Sequence, residues 1–376
     1  MKRRAHLGMA LLAGGCAASV LLLAGCAVDV PVKESTGTLY EFYCDQQDSY
    51  FSLVGLNAQL PTKTVNPATA DCPFILDRVL PAHSTGTAST GPPLQYMLDA
   101  AILGVQALDP TTFTFRGMHL PGGGNAAYPV SMDMTPDGSS IWVLQIAIQP
   151  NSNGITPQPA QISILNLASQ TYTGTIALPN NISADTIRFS PDGATAYISN
   201  NGAPFNNETG IPANSSVLVL DVASQTVVKT IPTPKGAGFE VMSPDGMELY
   251  TINNNLGIGA NTLTAIDTTT NTAGATAFLS GGAIKMFINP TGTRLYIYQE
   301  LGIVVFDTAT LQQIASIKTV GFSMQNNFAV FTPDGGTAWF CNCGYGIYYQ
   351  VDVRTNQVVT TTQTQDLGHG FMFGAF

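Results

Sequence analysis

The sequence has few charged residues, and basic residues are fewer than acidic ones. Only 10% of the 376 residues are Asp, Glu, Lys or Arg, against roughly 25% in an average globular chain. The 24 acidic residues outnumber the 14 basic ones, which leaves a formal charge of −10. A nucleic-acid partner needs a basic surface that neutralises phosphates, so none is expected.

Residue types that carry cofactor chemistry are also rare. Four histidines and two tryptophans are too few for a His-rich copper site or for a quinone enzyme with many docking tryptophans. The chain has no Cys-x-x-Cys-His, no Gly-x-Ser-x-Gly and no phosphate loop, which excludes covalent haem and disfavours the two enzyme classes that use those motifs. We predict no cofactor, and nothing in the sequence supports a metal ion.

The amino terminus is basic and then apolar. Lys2, Arg3 and Arg4 precede an apolar run that ends in Leu-Ala-Gly-Cys at Cys26. This pattern resembles a bacterial lipoprotein signal. The resemblance implies a signal peptide over residues 1–25, lipid on Cys26, a tether over 26–37 and a folded domain over 38–376. An ordinary signal peptide or an uncleaved anchor is the alternative.

Lipidation at Cys26 would make a membrane surface the first partner of the protein. The expected location is therefore the cell envelope, outside the cytoplasm. No Asp follows Cys26 directly, and in lipoproteins of two-membrane bacteria this goes with the outer membrane.

A turn motif recurs five times at an interval of about 50 residues. Its prolines are 55, 53, 46 and 43 residues apart. Pro presets the first turn position, Asp bonds its own backbone and Gly accepts positive φ, so each copy predicts a reversal between strands. The copies are Thr135-Pro136-Asp137-Gly138, Ser190-Pro191-Asp192-Gly193, Ser243-Pro244-Asp245-Gly246, Asn289-Pro290-Thr291-Gly292 and Thr332-Pro333-Asp334-Gly335.

Each turn is followed by a β-rich tetrad, such as Tyr-Ile-Ser-Asn at 197–200, and then by an apolar run closed by Asp, such as 217–221. Four short strands per unit at this interval are typical of a β-propeller blade. The units resemble the YVTN-repeat propeller family over residues 122–376. That family contains surface-layer proteins and lactonase-like enzymes.

We predict an all-β fold with a single propeller of seven four-stranded blades, six being the alternative. Residues 73–120 are expected to form one degenerate blade. A C-terminal inner strand at 370–373 is expected to complete the N-terminal blade at 39–65, which would close the ring and remove open sheet edges.

The resemblance implies a binding or scaffold module more readily than an enzyme, because no catalytic constellation matches residue by residue. Long loops at 149–160, 200–214 and 253–261 are the expected binding face. The partner would be an envelope protein, a peptide or a polysaccharide. A lactonase or hydrolase with a site at the channel mouth is the alternative function.

Ionisable residues on the inner strands are conspicuous in a chain so poor in charge. Aligning the strands on the turn proline places Asp133 beside Arg188 and predicts that Arg188 and Lys285 face the channel. Structural ion pairs and a site for a polar or anionic ligand are the two interpretations. The candidate residues are Asp133, Asp185, Arg188, Glu240, Lys285 and His369.

Export permits disulfides. Besides Cys26, the candidates are Cys44, Cys72, Cys341 and Cys343. Residues two apart on a strand have Cα atoms about 6.6 Å apart, near the upper limit for a bridge. A 341–343 bridge therefore needs a bend, and cross-links from Cys44 or Cys72 stay open. A copper or redox site on the Cys-x-Cys pair is the more specific alternative to a disulfide.

Overall fold

The computed structural model describes residues 38–44, 49–55, 58–59, 63–64, 75–82, 93–121, 127–151, 154–180, 182–202, 215–254, 261–319, 327–363 and 369–375. The chain divides into two compact units, Met1–Glu34 and Ser35–Phe376, and every described residue belongs to the second. The predicted signal peptide, the predicted lipidation site Cys26, the predicted tether over 26–37 and Cys72 lie outside the described residues.

Six consecutive sheets have four antiparallel strands each, joined in sequence order. Blade 1 has β5 (Ile75–Pro81), β6 (Gln95–Asp99), β7 (Gly104–Asp109) and β8 (Thr114–His119). Blade 2 has β9 (Ala127–Met134), β10 (Ser140–Asn151), β11 (Gly154–Asn166) and β12 (Thr171–Ala177). Blade 3 has β13 (Ala184–Phe189), β14 (Thr195–Asn200), β15 (Ser216–Asp221) and β16 (Thr226–Pro232).

The next three blades repeat the pattern. Blade 4 has β17 (Ala237–Met242), β18 (Glu248–Asn253), β19 (Asn261–Asp267) and β20 (Thr272–Leu279). Blade 5 has β21 (Ala283–Ile288), β22 (Arg294–Gln299), β23 (Gly302–Asp307) and β24 (Gln313–Lys318). Blade 6 has β25 (Asn327–Phe331), β26 (Thr337–Asn342), the short 3-10 helix Cys343–Tyr345, β27 (Ile347–Asp352) and β28 (Gln357–Gln363).

The prediction of seven four-stranded blades is wrong, because six sheets have that form. The remaining strands form one terminal sheet: β1 (Thr38–Cys44), β2 (Ser49–Gly55), β3 (Ala58–Gln59), β4 (Lys63–Thr64) and β29 (His369–Ala375). Its order is β29-β1-β2-β3, with β4 also on β2. Because β3 and β4 both pair with β2, the described residues of this sheet do not form four successive strands from one stretch of chain as the six blades do. The C-terminal strand does pair with β1 over its whole length.

Burial within a blade explains why so little charge is needed. The third strand of blade 3, Ser216–Asp221, is buried at every position except its closing Asp, whereas the outer strand is exposed at most positions. Side chains of blades 2 and 3 pack in one cluster that includes Leu144, Ile187 and Leu218, each at most 3% exposed. Because middle strands are covered on both faces, their residues are apolar or small.

The predicted turns stack on one another from blade to blade. In blade 3 the Asp192 carboxylate accepts hydrogen bonds from Ser190 Oγ (2.6 Å) and Ala194 N (3.0 Å). Gly193 has φ of +71°, and a Cβ on it would meet Pro136 of the preceding turn at 3.3 Å. The motif is thus structural: Asp holds its own turn, and Gly makes room for the neighbour's Pro.

Within the described part of the chain, no helix combines the length and the apolarity that crossing a membrane would require.

Candidate functional site

A cavity of about 330 Å³ lies among the inner strands of blades 1 to 5. It includes Pro191, Ser243 and Pro244 of two turns, so it lies at the turn end of the channel. Four charged residues singled out in the sequence line it: Asp133, Arg188, Glu240 and Lys285. Of the three long loops, residues 203–214 and 255–260 lie outside the described part, and the first loop forms the ends of β10 and β11.

Local irregularities in the strands aim these side chains. The pairing register shifts between Ala184 and Ile187, between Gly238 and Glu240, and between Ala283 and Lys285. A similar shift lies around Asp77 and Arg78 on β5. A bulge re-aims side chains that regular alternation would place elsewhere. The shifts lie beside Asp77, Glu240 and Lys285, whereas Asp133 is in a regularly paired stretch.

Arg188 is at the centre of the polar network and is 6% exposed. Its Nη2 and Nη1 donate to Asp77 Oδ1 (3.0 Å) and Oδ2 (3.1 Å). Its Nε donates to the Glu240 backbone carbonyl at 2.8 Å. Ser131 Oγ donates to Asp77 Oδ2 at 2.6 Å. Burial alone would raise the pKa of Asp77, but Arg188 and Arg78 outweigh it and hold that pKa far below its usual range.

Arg78 and Asp133 form a second, partly buried ion pair, with Arg78 Nη2 and Asp133 Oδ1 2.5 Å apart. Asp133 also accepts from the backbone N–H groups of Met134 (2.8 Å) and Phe189 (2.9 Å). The Arg78 side chain is 32% exposed and lines the cavity. Burial, followed by the charge of Arg188, lowers the pKa of Arg78. Asp133 is therefore committed to structure, while Arg78 keeps a surface toward the cavity.

Lys285 differs from the two arginines because no described carboxylate lies within ion-pair distance of it. Its Nζ lies 4.4 Å from the centre of the Phe328 ring and 5.8 Å from that of Phe287. Burial, together with the charges of Arg188 and Arg78, lowers its pKa to about 8, against the opposing effect of Asp77. Two aromatic faces offset part of this desolvation.

Glu240 and Asp185 are the two acids that burial makes hard to ionise. Glu240 is 1% exposed, and neither of its carboxylate oxygens has a hydrogen-bond donor among the described residues. Burial raises its pKa to about 8, although Arg188 opposes the shift. Burial also raises the pKa of Asp185, which accepts from Phe239 N at 3.2 Å. A Cβ on Gly238 would lie 2.4 Å from that carboxylate, so Gly238 makes room for Asp185.

The remaining sequence candidates lie away from the cavity or are described only by their backbone. His369 begins β29 and pairs with Cys44 in the terminal sheet. Cys341 and Cys343 form a disulfide with Cα atoms 5.0 Å apart, and both are almost fully buried. The chain bend that a bridge between residues two apart requires is supplied by the 3-10 helix that starts at Cys343. Among the described residues, no group of three His, Cys, Asp or Glu side chains is placed to hold a metal ion.

Alignment on the turn proline missed half of the network. It placed Asp133 beside Arg188, but the ion-pair partner of Arg188 is Asp77, and that of Asp133 is Arg78. Both missed residues lie on β5, the inner strand of the degenerate blade, which no Pro-Asp-Gly turn follows. The available signal was Asp77-Arg78 itself, an adjacent charge pair inside the segment expected to form the degenerate blade.

The charged and apolar residues that line the cavity limit the kind of ligand it can bind. Three cations and three acids line it. Arg188 pairs with Asp77 and Arg78 with Asp133, whereas Lys285 has no carboxylate partner among the described residues. Burial raises the pKa of Glu240 to about 8, so its carboxyl group is mostly neutral at pH 7. Its other walls are largely apolar, with Phe239, Val241, Met286, Phe287 and Ile288 among them. An anion with an apolar part would satisfy both features, because a buried charge is costly unless it is paired.

Comparison with known proteins supports the fold and goes no further. No family model and no curated protein matches the chain. One similar solved structure is Kuenenia stuttgartiensis hydrazine synthase, with TM-score 0.58, 17% identity, and coverage of 78% of this chain and 88% of that one. A second is a functionally unknown protein from Desulfotomaculum acetoxidans, with TM-score 0.59, 11% identity, and coverage of 89% and 98%. At these identities the likeness establishes a β-propeller.

Proposed function

We propose that this protein is an exported, lipid-anchored binding protein of the cell envelope whose channel cavity holds a small organic anion. The observation that carries the proposal is the position of Lys285. Its ammonium group lines the cavity beside two guanidinium groups and has no carboxylate partner among the described residues. An anionic ligand would supply the missing counter-charge.

The electrostatic effects of the three cations on one another support an anion site in the cavity. The charges of Arg188 and Arg78 both disfavour the charged form of Lys285, and Arg188 also disfavours that of Arg78. Asp77 is held by two bonds from Arg188, and Asp133 by Arg78 and two backbone donors. Neither carboxylate is free to turn to Lys285 without breaking a buried pair, which would cost several kcal/mol.

The size of the cavity limits the ligand to a small molecule. About 330 Å³ lies at the lower end of the roughly 300–1,000 Å³ found for small-molecule sites. Phe239, Met286 and Phe287 add apolar surface next to the cations. A compact monocarboxylate fits these features better than a polysaccharide or a peptide. The lactonase-like alternative rests on the family resemblance alone.

The test of the cavity is calorimetric titration with L-lactate as the probe monocarboxylate. We expect the wild type to bind and Lys285→Met, which keeps most of the apolar stem, to bind at least tenfold more weakly. Lys229→Met is the matched control, because Lys229 is exposed on β16 and its one hydrogen bond among the described residues goes to the Thr270 carbonyl. No binding by the wild type, or equal binding by wild type and Lys285→Met, would overturn the proposal.

Anchoring has its own test. Cys26→Ala is expected to abolish incorporation of labelled palmitate and to move the protein out of the membrane fraction. Unchanged labelling and fractionation would overturn the anchoring part of the proposal and leave the cavity part standing.

A further inference from the structure

We propose that Lys285 is a nucleophile that captures the carbonyl group of a small oxo acid as a reversible imine inside the cavity. The inference rests on the anion site proposed above and adds a covalent step to it. Its starting point is a primary amine that faces the channel cavity next to carboxylate-binding groups.

The surroundings of Lys285 favour a free amine. A lysine in a tight ion pair keeps its proton, but the described contacts of Lys285 Nζ are the two aromatic rings. A primary amine becomes nucleophilic when it is desolvated or placed beside another cation, and both conditions hold here. With its pKa lowered to about 8, roughly one molecule in ten carries the neutral amine at pH 7.

The substrate class follows from the neighbours. Arg78 lines the cavity with a side chain that is 32% exposed, and its Nε has no hydrogen-bond acceptor among the described residues, which suits a carboxylate. Arg188 Nη1 and Nη2 already donate to Asp77, so Arg78 is the better carboxylate-binding group. A ligand whose carboxylate contacts Arg78 and whose carbonyl carbon reaches Lys285 Nζ is a short oxo acid. Pyruvate and glyoxylate are the simplest probes of this class.

The step balances without an added oxidant or reductant. The lone pair of Lys285 Nζ forms a bond to the carbonyl carbon, and the carbonyl oxygen takes the proton that the nitrogen gives up. The resulting carbinolamine loses its hydroxyl group, with a second nitrogen proton, as water. A C=N bond replaces the C=O bond, and hydrolysis reverses the sequence.

Reductive trapping tests the inference. The protein, purified from membranes in detergent, is incubated with pyruvate and cyanoborohydride and then analysed by intact-mass and peptide mass spectrometry. The expected product gains the mass of pyruvate less one water plus two hydrogens. We expect the adduct on Lys285 at least tenfold above that on Lys229, Lys235 or Lys318, and its suppression by excess lactate.

Two variants serve as controls. Lys285→Arg keeps a cation in the cavity but cannot form an imine, so it should bind lactate without yielding an adduct, whereas Lys229→Arg should be trapped like the wild type. If Lys285→Arg fails to fold, lactate protection in the wild type still decides the question.

The outcomes separate this inference from the proposed function. Lactate binding with no enrichment of the adduct on Lys285 overturns the imine and leaves the anion site. No lactate binding overturns the anion site. An adduct spread evenly over all lysines overturns the imine as well.

Discussion

Arg188 and Asp77 form a two-bond ion pair although they are 111 residues apart in the chain. Their strands, β13 and β5, are separated in the ring by β9, which contributes Ser131 as a third member of the network. Arg188 also bonds the backbone of β17 through the Glu240 carbonyl. One side chain therefore ties together the inner strands of four successive blades.

This arrangement predicts a large cost for Asp77→Asn. The variant keeps the shape of the side chain but leaves the buried Arg188 guanidinium without its counter-charge, which should cost about 3–5 kcal/mol of unfolding free energy. Urea unfolding at pH 7 measures it. Arg354→Ala is the comparison: Arg354 pairs with Asp352 at the surface with 62% of its side chain exposed, so about 1 kcal/mol or less is expected. Equal effects of the two variants would contradict the central role of Arg188.

The stacked turns predict a difference between two chemically identical substitutions. Gly246 and Gly335 have φ of +71° and +67°, so Ala is equally strained at both. A Cβ on Gly246 would lie 2.4 Å from Pro191 Cδ, whereas on Gly335 the nearest atom is 3.5 Å away. Gly246→Ala should therefore be the more destabilising by roughly 1–3 kcal/mol, the range for overpacking. Thermal unfolding of both variants checks this, and equal losses would mean that the turns do not support one another.

Sequence reasoning succeeded where local chemistry decides structure and failed where distant segments meet. The Pro-Asp-Gly turns located the blades from 127 onward because each turn specifies its own hairpin. The blade count was wrong because the sequence of 38–65 shows β-prone residues but not which strands they pair with, and β3 and β4 both pair with β2. Asp77 was missed for a related reason: its role depends on Arg188, which no local motif connects to it.

Glu240 predicts a pH dependence of stability. Its pKa is about 8 in the folded state, because burial raises it, the charge of Arg188 opposes that shift and the charge of Asp185 adds to it. The unfolded value is about 4.3. Between these values the folded protein holds a proton that the unfolded chain has lost, so stability falls as pH rises from about 4.3 to 8.

Glu240→Gln should remove this dependence, because glutamine has the same shape and does not titrate. Relative to the variant, the wild type should lose stability steadily from pH 5 to pH 8, by about 4 kcal/mol at most. Lys285 titrates at the upper end of this range and does not affect the lower part. Urea unfolding at four pH values tests the prediction, and parallel curves for wild type and variant would refute it.

Lys285 predicts that binding of a carboxylate weakens in alkali. Its ammonium form is needed for attraction and disappears above a pKa of about 8, so lactate affinity should fall about tenfold between pH 7 and pH 9. Of the charges that face Lys285, Asp77, Arg78 and Arg188 keep their charge over this range. Glu240 gains negative charge near pH 8 and would weaken binding in the same direction, so lactate binding is measured in the Glu240→Gln variant.

In that variant, adding Lys285→Arg should abolish the pH dependence of lactate affinity and keep the affinity at pH 7 within about tenfold, because guanidinium stays protonated. A decline that persists with arginine at 285 would assign the pH effect to a group other than Lys285.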